Sequence, residues 1–115
     1  MMLPLLLLIV VAGQAAQPED SPREVVYRSA NRWMACANDI AKGIVTQHPD
    51  WARTPMVVAE SAVDACKDER AAFHALAIVM VRYEAPTENA DALAAETEAR
   101  VRASMITQMT DAQGK

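Results

Sequence analysis

SPREVVYRSANRWMACANDIAKGIVTQ, residues 21–47, decides the fold. It opens with two helix-start signals. Ser21 can cap the helix with Glu24 as the fourth residue of a capping box, and Pro22 falls at the first helical position, where a missing N–H is harmless. From there Val26, Ala30, Trp33, Ala37, Ile40 and Ile44 recur at alternating spacings of four and three. That spacing predicts a helix with one face packed on a second helix. The helix is expected to end near Gln47, because Pro49 disfavours a helical His48.

Working outward, Thr54-Pro55 repeats the start device, with Thr54 as the expected cap. A second helix is predicted from about Pro55 to Glu84, with Ala59, Ala62, Cys66, Phe73, Leu76, Met80 and Tyr83 as its core stripe. Ala71 to Tyr83 is apolar on most faces, a pattern that asks for more than one neighbour. Ala85-Pro86-Thr87 breaks it. A third helix follows, roughly Glu88 to Thr110, with Ala92, Ala95, Ala99, Ala103 and Ile106 in a row and Leu93, Val101, Met105 and Met109 close by. Residues 111–115 are expected to fray.

Cys36 and Cys66 are the only cysteines. Cys36 lies eleven residues before Gln47, and Cys66 eleven residues after Pro55. At 1.5 Å of rise per residue each stands roughly 16 Å from the turn, so an antiparallel hairpin brings them to one height. A disulfide closing a loop of about 30 residues would contribute roughly 3–4 kcal/mol by chain entropy. A redox-active pair is the less favoured reading, because both cysteines are mid-helix rather than in a Cys-x-x-Cys pair at a helix start. A reduced or metal-bound pair is the third. In the register that joins the cysteines, Val26 faces Leu76, Ala30 faces Ala72, Ile40 faces Ala62 and Ile44 faces Val58. Trp33 falls opposite Glu69, where it would cover the stem of a charged side chain.

The expected fold class is therefore all-α: an antiparallel helical hairpin stapled by one disulfide, plus a third helix. Residues 21–110 form a single domain in this reading. Length and composition agree. The 115 residues include 23 alanines, which favour helix, and three glycines. A net charge of -4 argues against a nucleic-acid partner.

Residues 1–15 read as a signal peptide. Leu3 to Ala12 is an uncharged apolar run, too short to span ~30 Å of hydrocarbon, and Gly13-Gln14-Ala15 sets small residues at the positions a signal peptidase reads. Cleavage is expected after Ala15, or after Ala16, leaving a short lead to residue 20 and no stable membrane anchor. The mature chain is then exported, periplasmic or extracellular.

Other constellations are weaker. His48 and His74 stand roughly 16 and 12 Å of helix rise from the cysteine level, too far to share one Zn²⁺ with the pair. His48-Pro49-Asp50-Trp51 reads as a loop in which Trp51 plugs the hairpin end. Glu60, Asp64 and Asp68 form a solvated acidic row offset by Arg53, Lys67 and Arg70. Met105 and Met109, one turn apart, are core fillers or, less favourably, a soft metal patch or adaptable surface. No serine has a His and Asp partner set at helical spacing, and no phosphate loop or zinc-protease motif occurs. No cofactor and no enzymatic activity are expected.

Trp33-Met34-Ala35-Cys36 and Ala62-Val63-Asp64-Ala65-Cys66 resemble a pattern in the uncharacterised small exported two-cysteine α-helical proteins of proteobacteria. The resemblance covers roughly residues 22–84 and implies no activity for any residue. The functional expectation is a non-enzymatic structural or interaction module of the cell envelope, binding an unknown protein partner or itself. The alternative is a periplasmic carrier of a metal or small ligand.

Overall fold

The computed structural model describes residues 21–113, so the signal peptide expected at 1–15, with cleavage at Ala15, lies outside the described residues. Among the described residues four helices follow in order: α1 (Pro22–Gln47), α2 (Pro55–Ala65), α3 (Lys67–Tyr83) and α4 (Ala90–Gln113). A 3-10 turn, Pro49–Arg53, joins α1 to α2. Helix α1 and the α2–α3 rod form the antiparallel hairpin, and α4 packs against all three helices. No strand occurs among the described residues.

The helix starts show how local chemistry sets the boundaries. Ser21 Oγ accepts the Glu24 N–H at 3.3 Å, as a capping residue does. Thr54 does not act this way: its hydroxyl donates to the Trp51 carbonyl at 3.1 Å and closes the 3-10 turn instead. Helix α4 is capped by Asn89, whose Oδ1 accepts the Ala92 N–H at 3.0 Å, and this moves its start past Glu88. The helix then continues through Gln113, beyond the Thr110 end expected from periodicity.

The second helix is two helices. At Cys66 the backbone leaves the helical region (φ -103°, ψ 29°). Its N–H is shared between the carbonyls of Ala62 and Val63, at 3.1 and 3.2 Å, while its own carbonyl still accepts from Arg70 N–H. The helix is interrupted there, yet both backbone polar groups of Cys66 keep a hydrogen-bond partner. No Pro or Gly marks this place in the sequence.

The core is continuous from Val26 to Met109. Its centre is Trp33, fully buried, with its ring 5.7 Å from that of Phe73 at 49°. Trp33 therefore packs on an aromatic ring one helical turn beyond Glu69. On α1 the buried residue near the turn is Ala41, and Ile40 is left 37% exposed. On α3 the buried set is Phe73, Ala77 and Met80; Ala72 and Tyr83 face water. Ala72, expected opposite Ala30 in the seam, is thus exposed.

On helix α4 the structure chooses between the alanine row and the larger residues beside it. Ala92, Ala95, Ala99 and Ala103 face outward, and the buried face is Ala94, Val101, Met105 and Met109. Burying a Met or Val side chain removes far more apolar area from water than burying an Ala methyl, so the helix rolls its larger residues inward.

Candidate functional site

Cys36 and Cys66 are disulfide-bonded, with Cα atoms 6.2 Å apart. Cys66 is fully buried and Cys36 partly so. The Glu69 carboxylate and the two sulfurs lie within 4.8 Å of one another. Oxidised sulfurs are poor ligands, since metals take the thiolate, so this trio is a cross-link beside a negative charge.

A polar network ties three helices together. From α4, Arg102 grips Glu60 of α2 through two hydrogen bonds, at 2.6 and 3.3 Å. The same guanidinium donates to Glu98 at 2.7 Å, and Arg70 of α3 donates to the other Glu98 oxygen at 2.9 Å. Burial acts to raise the Glu98 pKa. The hydrogen bonds from Arg102 and Arg70, with their positive charges, outweigh it and hold this carboxyl below its ordinary value. Arg102 is pushed up by its hydrogen bonds to Glu60 and Glu98. Glu60, Asp64 and Asp68 are all exposed, as expected of a solvated row, but the cation that pairs with Glu60 is Arg102, and Arg70 serves Glu98. These partners are 28 and 42 residues apart in the chain, beyond the reach of any spacing rule. At the other end of α4, Asp91 Oδ1 is hydrogen-bonded to His74 Nε2 at 2.6 Å.

The turn is arranged otherwise than its sequence suggests. Trp51 stays 45% exposed and stacks on the His48 ring, with centroids 4.0 Å apart and planes 10° from parallel. Ala52 is the residue that turns inward. Beside it opens a cleft of about 370 Å³, lined by Ala41, Val45, Ala52 and Met109, with Lys42, Thr46 and Gln108 also on its walls. Met105 is fully buried and Met109 nearly so. Their side chains fill the bundle rather than an exposed metal patch.

The outer face of α3 is also left open. Ile78, Val79 and Tyr83 are 40%, 44% and 72% exposed, and Ala71, Ala72 and Ala75 beside them are exposed too. Phe73, Ala77 and Met80 occupy the opposite side of the helix, against the core. None of the helices is long and apolar enough to cross a membrane among the described residues.

The fold and these surfaces define an all-α bundle stapled by one disulfide. No protein-family model, curated protein or solved structure matches this chain.

Proposed function

We propose that this protein is a small exported, non-enzymatic module that works by binding protein, in the periplasm or outside the cell. The observation that carries the reading is the α3 face, where Ile78, Val79 and Tyr83 stand in water beside three alanines on one side of a helix whose other side is core. A contiguous apolar face of this kind is the usual mark of an interaction surface. Export is supported by the Cys36–Cys66 disulfide, which persists in a non-reducing compartment, and by the apolar run that ends in Gly13-Gln14-Ala15.

Two measurements test it. Intact mass of the fractionated protein should show a chain beginning at Ala16 or Gln17 and lacking two thiol protons. A full-length, reduced protein in the cytosol would overturn the export reading. Cross-linking in the intact envelope should give a defined adduct that disappears with Val79→Asp. Adducts indifferent to that substitution would overturn the assignment of the binding face.

A second reading, a carrier of a small apolar ligand, is favoured by the cleft beside Ala52. Its volume of about 370 Å³ lies in the range of small-molecule sites. A ligand seated there would contact Val45 and Met109. Native mass spectrometry of the protein as isolated should then show a stoichiometric ligand that Ala52→Trp excludes. A bare protein mass would count against this reading.

A further inference from the structure

Resting on the interaction reading, we propose that the partner of the α3 face is a second copy of this chain, bound antiparallel about a two-fold axis at Ala75. The argument is the self-complementarity of the helix. At 100° per residue, Asp68, Ala71, Ala72, Ile78, Val79 and Arg82 all lie within about 60° of Ala75. All seven are exposed.

In an antiparallel pair crossing at Ala75, residues at equal height have numbers that add to about 150. Ala71 then meets Ile78 of the second copy, and Ala72 meets Val79. Each of these pairs lies on one edge of the seam, as a two-fold axis in the interface requires. The small side chains of the first half of the face receive the large side chains of the second half. Ala75 meets itself at the crossing, where a methyl lets the two backbones approach.

The charges fit the same register. Asp68 and Arg82 close the two ends of the face, seven residues on either side of Ala75. Antiparallel pairing sets Asp68 against Arg82 twice. A parallel pair would set Asp68 against Asp68 and Arg82 against Arg82, which repels. Within the described residues neither side chain has a salt bridge in its own chain. The acid at one end and the base at the other thus fix orientation as well as register.

A seam along one helix of about five turns buries less than the ~1,200 Å² of a standard stable interface, so the dimer is weak and concentration-dependent. Crowding at a surface or confinement in a compartment would favour it by mass action.

Sedimentation equilibrium of the mature oxidised chain, beginning at Ala16 or Gln17, tests the proposal. The wild type should show a reversible monomer–dimer equilibrium. Val79→Asp should weaken it about tenfold or more, because it places a carboxylate against the Ala72 of the partner. Asp68→Arg and Arg82→Asp should each weaken dimerisation several-fold. The double swap D68R/R82D should restore it, and so should mixing the two single variants. All three positions are exposed, so circular dichroism and an intact disulfide should show each variant folded. A strictly monomeric wild type at millimolar concentration would overturn the dimer. So would a dimer indifferent to Val79→Asp, or a double swap with no recovery. If the chain is monomeric while Val79-dependent adducts to another protein persist in the envelope, the dimer fails and the interaction reading survives.

Discussion

Cys66 both closes the disulfide to Cys36 and marks the point where the second rod of the hairpin divides into α2 and α3. The cross-link and the helix break therefore share one residue, at the level where α1 passes Trp33 into the core. The consequence is mechanical: the staple ties the junction of α2 and α3 to α1 at the point where the backbone N–H is shared between two carbonyls.

The first prediction concerns that staple. Cys36→Ser and Cys66→Ser should each lower stability, by about 3–4 kcal/mol on the chain-entropy estimate. The double variant should lose little more than either single one, because one bond accounts for both effects. Urea unfolding under non-reducing conditions measures it. Unequal single losses, or a double variant that sums them, would show that packing and not the bond is at stake.

Glu69 should shield the disulfide. Reduction proceeds by attack of a thiolate, and a carboxylate beside the sulfurs repels that anion. Glu69→Gln should speed reduction by glutathione about twofold or more at low salt, with the difference shrinking as salt rises. Stopped-time alkylation of the freed thiols reads the rate. Equal rates for the two proteins at low salt would remove Glu69 from this role.

Trp33 is the largest buried side chain, and its removal should be costly. Trp33→Ala should destabilise by about 3–5 kcal/mol through lost burial and the cavity left against Phe73. Trp33→Phe should cost distinctly less. It keeps an aromatic ring facing Phe73 and removes the Trp33 Nε1–H, which is buried without an acceptor among the described residues. Thermal unfolding of the two variants decides the ranking.

The Glu60–Arg102–Glu98–Arg70 network should give the protein an acid limb. The pKa of Glu98 in the folded state lies below its ordinary value of 4.5. A lowered carboxyl pKa means that the unfolded chain takes up protons first as pH falls. The stabilisation is therefore complete above about pH 5 and is lost as pH drops through the folded-state value. Glu98→Gln should be less stable than wild type at neutral pH, by about 1–2 kcal/mol, with the gap closing below about pH 4. Arg102→Ala should lose more than Arg70→Ala, since Arg102 serves two carboxylates. Urea unfolding across pH 3–7 measures both, and a gap that persists unchanged at pH 3 would exclude Glu98 as its source.

Much of this architecture was legible one residue at a time. Pro22 and Ser21 mark the start of α1, Pro49 its end, and Pro55 the start of α2, because proline and capping side chains act on the backbone beside them. The equal distances of Cys36 and Cys66 from the turn were enough to pair them, since helix rise converts residue count into height. The split at Cys66 leaves no local trace, since neither Gly nor Pro stands there. Tyr83 and Ala72 were misplaced because the ridge of an apolar helix is ambiguous until a neighbour chooses a side. The α3 face was hidden for the same reason, being indistinguishable in sequence from core.

The chain alone determined that there would be helices, where they begin, and that two sulfurs would meet, because these follow from short-range sterics and from arithmetic along a rod of fixed rise. The rotation of each helix about its axis, the partners of Arg102 and the outward turn of Trp51 were decided in the assembled bundle. There the packed neighbours select which face of each helix is covered: on α4 the larger Val101, Met105 and Met109 take the interior, whereas on α1 and in the turn Ala41 and Ala52 take it and leave Ile40 and Trp51 exposed.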